Sequence, residues 1–413
     1  MKKFVLSLAA LILLSNSMIF AGGFQLNEHG AKALALGGAF TAIANDPSAI
    51  YWNGAGLTQL SGTHIMFGTA LISPTSTFRG VSPDVDIYHM QPQVFFPSHF
   101  FGSHTFGESF AVGLGFTTPF GLGTRWDDDW IGKYLAIETE LKTFIVTPVI
   151  TYQPFSFLSL SAGFVYSFAD VLITRKNSLE PFAGDAFIHL EGKDNSAFGY
   201  NAGIMLKPFD FLSLGASFHS EVEYTFEGTA TATAPEQLIS NVPQGDVTAD
   251  LKTPMNLAVG LAVDVSSSLK LSADYQFVGW SSYDYLVVNF VNPDLEDLSS
   301  PRLYKDSYII RFGAGYKASD DLSLMAGVYF DSNPVESENL NPSLPDADRL
   351  GLSIGVEGKL TENLTVTGSF LFIRSQELTV TNSNEEYTPG GSAFNGTYNS
   401  YANILSFSLL YGL

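Results

Sequence analysis

The sequence predicts an all-β fold, a transmembrane antiparallel β-barrel of about 14 strands whose lumen is plugged by a small N-terminal part-helical hatch. Three observations predict it. Apolar and polar residues alternate along most of the chain; in the last stretch Tyr401, Leu405, Phe407, Leu409, Tyr411 and Leu413 share one face. Short turns of one repeated pattern alternate with longer polar loops. Mean hydropathy is positive, +0.15, yet no stretch reaches the ~20 apolar residues that a spanning helix needs.

The chain opens with Lys2 and Lys3, an apolar run over residues 4–14, and a polar-to-small stretch ending at Ala21. This is the pattern of a secretory signal cut after Ala21, with Ile19 at the third position before the cut. Residues 22–61 are then the expected hatch. Asp46-Pro47 reads as a helix N-cap followed by proline at the first helical position. Asn53 can cap a second short turn, and Gly54 and Gly56 permit close backbone packing while loosening the local chain.

Residues 62–413 are the expected barrel. Turns beginning at Gln153, Lys207, Val265, Lys317 and Lys359 each lead into Leu or Phe alternating with Ser or Thr, and an earlier one fits residues 102–107. Their spacing of roughly 40–60 residues holds two membrane strands and one longer loop. The strands are expected at 62–73, 85–96, 109–118, 137–152, 157–174, 196–207, 211–226, 251–265, 269–287, 305–317, 321–331, 349–360, 364–379 and 397–413. Parity places Leu257, Val259, Leu271, Phe312, Leu352 and Ile354 toward lipid. The same parity places Asp274, Lys305, Arg311, Arg349 and Glu357 in the lumen. Charges there need partners. They form an ion-pair network that holds the hatch, or one or two of the cations receive an anionic ligand.

Strand three holds Gly113 and Gly115 and runs into Pro119, Gly121 and Gly123. Glycine weakens a strand interior and proline cannot donate to the ladder, so a kink or gap in the wall fits here, as does an ordinary strand end.

Composition excludes several classes. A net charge of −21 argues against nucleic acid. With Cys 0, no disulfide contributes to stability. There is no Gly-x-Ser-x-Gly elbow, P-loop or His-Glu-x-x-His, and no cofactor is expected. His99 and His104 read as polar turn residues, and Asp127, Asp128 and Asp129 as a solvated loop rather than a cation site. Ser217 and His219 are the nearest Ser–His pair, with nothing beside them to suggest a hydrolase.

The run Gly23-Phe24-Gln25-Leu26-Asn27-Glu28, directly after the signal, resembles the N-terminus of the FadL family, outer-membrane transporters of long-chain fatty acids and other hydrophobic compounds. Further matches are Pro119-Phe120-Gly121-Leu122 followed by Trp126, Trp130, Gly132, Lys133 and Tyr134; Trp280-Ser281-Ser282-Tyr283; Asp306 to Arg311; and Pro345-Asp346-Ala347-Asp348-Arg349. Asn53-Gly54-Ala55 departs from the family's Asn-Pro-Ala. The C-terminal strand is similar to the signal read by the barrel assembly machinery, although it ends in Leu413 rather than an aromatic. The resemblance implies a 14-strand barrel in contact with outer-membrane lipid, expected to act as a monomer. It implies passive uptake of a hydrophobic ligand, a long-chain fatty acid first and a neutral monoaromatic hydrocarbon second, rather than a general aqueous porin. Capture is expected at Phe120, Leu122, Trp126, Trp130 and Ile131 in one loop and Leu179, Phe182 and Phe187 in another. The head group is expected near Lys305, Arg311 or Arg349. Movement of Gly22, Gly23, Phe24, Gln25, Leu26 and of Asn53, Gly54, Ala55 is expected to open a lateral path at the strand-three gap.

Overall fold

The computed structural model describes residues 22–413, apart from residues 84, 183, 239–241, 293–294 and 389. The expected signal peptide, residues 1–21, lies outside the described residues. Fourteen antiparallel strands close into a barrel. They are β1 (Gly62–Gly80), β2 (Ser98–Phe106), β3 (Phe110–Thr117 and Gly121–Arg125), β4 (Glu138–Phe155), β5 (Leu158–Ser178), β6 (Asp185–Phe209) and β7 (Leu212–His219 and Val222–Thr233). Then follow β8 (Gly245–Thr253 and Asn256–Asp264), β9 (Leu269–Val278 and Tyr285–Phe290), β10 (Leu298–Pro301 and Ser307–Lys317), β11 (Leu322–Asp331), β12 (Arg349–Lys359), β13 (Leu364–Ser375 and Leu378–Val380) and β14 (Gly396–Gly412). β14 pairs with β1 from Gly412↔His64 to Gly396↔Gly80, so the sheet has no free edge along that seam. Pro254 and Gly279 stand at two of the strand breaks, where a ladder donor is missing or the chain turns into a short helical loop.

The expected turns at 153–158, 207–212, 265–269, 317–322 and 359–364 all fall between paired strands. The first part of the barrel differs from expectation. Residues 85–96 hold only the three-residue strand Ile87–His89, which pairs with β1. The second wall strand is β2 instead, and residues 102–106 continue it. Of the two glycines in the expected turn, Gly102 pairs regularly with Leu114, whereas Gly107 takes a φ of 62° and makes the turn. His99 and His104 therefore lie on a strand.

Lipid-facing parity follows the residues. Leu257, Val259, Phe312, Leu352, Ile354 and Phe407 are exposed on the outer surface, and Ala258, Ser272, Asp274, Arg311 and Ser353 are buried inside. Rings gather in bands at both ends of the outer surface. Phe144 and Phe168 stack at 5.2 Å at the long-loop end, while Phe155 with Phe157 and Phe209 with Phe211 stack at two of the short turns. Such girdles mark the two water–lipid boundaries of a membrane barrel.

Inside the ring lie the residues before β1: helix α1 (Ala31–Ala35), helix α2 (Ala49–Trp52) and a 3-10 turn, Gly54–Gln59. These elements are too short to persist alone, so the wall must hold them. Asp274 accepts from the Thr41 amide at 2.8 Å, Ser408 from the Ala31 amide at 3.0 Å, and the Thr151 hydroxyl donates to the Gly54 carbonyl at 2.8 Å. Asn53 caps the 3-10 turn through Ala55 and donates to the Thr41 and Ile204 carbonyls. Gly54 packs against Val149 and Ser161, where a Cβ would not fit. Its role is close approach to the wall, not looseness.

Lys32 of α1 pairs with Glu357 of β12 at 3.1 Å, both largely buried. Replacing Glu357 with Gln strands that ammonium inside the barrel. Removing one partner of a buried pair costs about 3–5 kcal/mol. Glu357→Gln is thus expected to lower the unfolding midpoint and to expose residues 22–61 to protease before the wall, as followed by circular dichroism and limited digestion.

Candidate ligand cavity and wall opening

The break in β3 has a simple register. Thr117 pairs with Ile145 of β4 and Gly121 with Lys142. Three residues (118, 119, 120) therefore oppose two (144, 143). The extra residue makes a bulge, and it carries Pro119, which has no amide hydrogen to give. Thr143 re-establishes contact by bonding both the amide (3.1 Å) and the carbonyl (2.7 Å) of Phe120 through its hydroxyl. On the other edge, pairing of β3 with β2 ends at Phe116↔Phe100. Beyond it the wall is bordered by Phe95, Phe96 and Pro97 on one side and Thr118, Pro119 and Phe120 on the other.

Gly113 and Gly115 take no part in this break. Both pair regularly on each side, and their missing side chains make room for Ile50 of α2. The glycines that matter to the opening are Gly121, against Leu26, and Gly123, against the Phe95 ring.

The vacated edge of β3 is taken by the N-terminal residues. The Gly121 amide donates to the Phe24 carbonyl at 3.0 Å and the Leu26 amide to the Pro119 carbonyl at 2.8 Å, with Gln25 bridged to Phe120. Main-chain bonds of this kind are what an added strand makes with a sheet edge. The strand is tied at both ends. Tyr51 donates to the Leu26 carbonyl at 3.2 Å, Asp346 accepts from the Gly23 amide at 2.7 Å, and Arg349 donates to the Gly23 carbonyl at 3.0 Å. The Phe24 ring packs edge-on against Trp280 at 4.7 Å.

A cavity of about 370 Å³ lies behind this strand and reaches the opening. Its lining is mostly apolar, with Phe24, Leu26, Ile72, Phe95, Phe120 and Ile373, and Arg349 and Glu28 at the inner end. The size is within the usual range of small-molecule sites. Burial pushes the Glu28 carboxyl up to about 7, against the pull of Arg349. A second cavity of about 120 Å³ sits toward the long loops and shares Phe24, Leu122, Leu141 and Leu344 with the first. Its cation is Arg302, 9% exposed, whose Nε has no partner among the described residues. A third space of about 70 Å³ borders Phe120, and its lining mixes apolar side chains such as Ile50, Ile145 and Val165 with Asn201, Asn256, Gln276 and the Ser217–His219 pair.

The expected site residues distribute unevenly. Phe120 and Leu122 line the large cavity. Trp126 and Trp130 are fully buried, stacked at 4.3 Å, and donate to the Pro342 and Ala136 carbonyls. They form the interior of the loop cap, with Ile131 packed beside them, rather than a capture surface. Leu179 belongs to a separate apolar cluster, Phe187 is half-buried on β6, and Phe182 is exposed. Arg349 meets the cavity. Arg311, 2% exposed, lies over the Trp52 ring and opposite Asp274 in the ladder, beneath the N-terminal segment. Lys305 is not in the lumen. Its side chain is 65% exposed before the β10 ladder resumes, paired with Glu336, because the inward parity begins only at Ser307. Phe95, Glu28 and Arg302 were not among the expected residues; Arg302 stands in a loop, where parity gives no signal.

The loop cap is pinned by charge. Lys133 bonds Asp185 at 2.8 Å, and Lys176 bonds Asp129 at 2.7 Å. Burial would raise the Asp185 carboxyl, but the bonds from Lys133 and Tyr134 outweigh it and hold the group below its ordinary value. A depressed carboxyl contributes stability above its unfolded value and loses it as pH falls through the folded one. The cap is therefore expected to stay closed to protease at pH 5 and to open only as the pH falls below the ~3.9 of a free Asp, with Asp185→Asn already open at pH 5.

The family described as outer membrane protein transport protein (OMPP1/FadL/TodX) matches residues 12–412. The chain belongs to this family. It is 25% identical to the long-chain fatty acid transport protein of Salmonella typhi, over 96% of this chain and 98% of that one. Its fold is similar to that of a Pseudomonas aeruginosa FadL homologue, with a TM-score of 0.86 at 19% identity, over 95% of this chain and all of the other. It is also similar to the Ralstonia pickettii toluene transporter TbuX, with a TM-score of 0.72 at 19% identity, covering 93% and 99%. The protein is thus a FadL-type outer-membrane transporter of hydrophobic compounds, and its alternating strands and ring girdles are those of a chain embedded in that membrane.

Proposed function

We propose that this FadL-family barrel is a passive uptake channel for long-chain fatty acids. The observation that carries the reading is the joint position of Arg349, the large apolar cavity and the wall opening. Ligand enters at the smaller cavity near the loops, passes Phe24, and lies in the large cavity with its carboxylate at Arg349. Residues 22–61 act as a hatch. When the strand over residues 24–26 leaves the β3 edge, the acyl chain exits sideways between Phe95 and Phe120. Burial of acyl carbons at ~0.8 kcal/mol per CH₂ supplies affinity without a cofactor.

A second reading is uptake of neutral monoaromatics. It is favoured by the bonds Arg349 already makes to Asp346 and Gly23, which leave it without need of an anion. Equilibrium binding of labelled oleate to purified protein, competed with toluene, separates the two. Saturable oleate binding that toluene barely displaces is expected. Absence of saturable oleate binding, with toluene bound, would transfer the function to neutral hydrocarbons.

A further inference from the structure

The inner end of the N-terminal strand meets an excess of buried acid. Gly22 lies so close to Asp331 that a methyl group built on it would collide with both carboxylate oxygens. Asp331 ends β11, is 6% exposed, and its Oδ1 has no hydrogen-bond partner among the described residues. Asp346 beside it is satisfied by the Gly23 amide and by Arg349. Asp348 is pushed up to about 7, by burial first and then by Asp346 and Asp331. Glu28 adds a fourth carboxyl, and its Oε2 is also without a partner. Among the described residues, the cations acting on Asp331 and Glu28 are Arg349 and, with a weaker pull, Arg311. An unpaired carboxylate in such a place is costly.

We propose that the missing cation is the α-ammonium of Gly22, set free by cleavage after Ala21, and that it closes on the Asp331 carboxylate. Hydrolysis of the Ala21–Gly22 peptide bond takes up one water and leaves a carboxylate on Ala21 and an ammonium on Gly22. Export processing thereby creates the charge that latches the strand over the wall opening. The two glycines after the cut fit this seat. Position 22 has no room for a side chain against Asp331, and Gly23 adopts a φ of 64° with its open side against Trp280. The inference does not depend on the identity of the ligand.

The test is amine-selective acylation of protein purified from outer membranes. Intact mass is expected to correspond to residues 22–413. The Gly22 amine is expected to react at least about tenfold faster in Asp331→Asn than in the wild type, while Asp348→Asn, which removes a neighbouring acid but leaves the carboxylate that Gly22 touches, changes the rate far less. Equal rates in wild type and Asp331→Asn, or a mature chain that begins elsewhere, would overturn the proposal. Should Asp331→Asn fail to fold, the wild-type amine alone decides. Its reactivity titrates above the ~8 of a free α-amine if the ion pair exists, and at or below that value if it does not.

Discussion

Deleting Pro119 is expected to cut oleate entry into cells tenfold or more while purified protein still binds oleate. The register gives the reason. Residues 118–120 are three residues facing two of β4, and one residue too many forces the bulge. Removing Pro119 leaves Thr118 opposite Phe144 and Phe120 opposite Thr143, an unbroken antiparallel run. It also removes an imino acid that cannot donate from the β3 side of the break. On the other edge, continuing the Phe100↔Phe116 register brings Ser98 opposite Thr118, so β2 can pair one step further. The wall then closes where the large cavity reaches it. Ile72 and Arg349 are untouched, and although Leu26 loses the Pro119 carbonyl, Gly23 stays tied to Asp346 and Arg349, so binding should persist. Pro119→Ala is the control, because it keeps the extra residue and with it the opening. Uptake of labelled oleate by cells, with heat-modifiable migration to confirm a folded barrel, reads the result. Wild-type uptake by the deletion variant would show that ligand leaves by another route.

How far the sequence carried depends on which force acts locally. Lipid imposes a period of two on every strand, so β8 to β14 and their short turns were readable from alternation alone. The second wall strand, expected at 85–96 and found at Ser98–Phe106, was not. Phe95, Phe96 and Phe100 are aromatic whether they line a strand or an opening, and only the φ of Gly107 decides which glycine turns the chain. Parity assigned Arg311 and Arg349 to the lumen but failed at Lys305, which lies beyond the paired ladder. The loop residues were least readable. Trp126 and Trp130 look like capture residues as single side chains, and their mutual stack and carbonyl bonds make them the interior of the cap. The break in β3 was signalled by Pro119, but its cause is a count across two strands, which a single strand's sequence does not contain.

Arg349→Met is expected to weaken oleate binding by roughly 10- to 100-fold and to leave toluene binding nearly unchanged. A hydrogen bond to a charged partner contributes about 1.5–3 kcal/mol, and each 1.4 kcal/mol is tenfold in affinity. Methionine keeps the apolar stem and removes the guanidinium. The same change also frees Asp346, which holds the Gly23 amide at 2.7 Å, so loss of binding could come from a displaced N-terminal strand. The double variant Arg349→Met/Asp346→Asn separates the causes. It removes the stranded carboxylate together with its cation, which is milder than leaving one charge buried alone. If Arg349 receives the ligand, the double variant binds oleate as poorly as the single one. If Arg349 only braces the strand, the oleate affinity of the double variant moves back toward wild type. Arg311→Met gives the complementary result. Its guanidinium lies over Trp52, and the residue pairs in the ladder with Asp274, one oxygen of which holds the Thr41 amide. Loss of that cation is expected to lower the unfolding temperature while oleate affinity stays within about threefold, less than 1 kcal/mol. A reversed pattern, with affinity lost at Arg311 and stability lost at Arg349, would move the head-group site beneath the hatch.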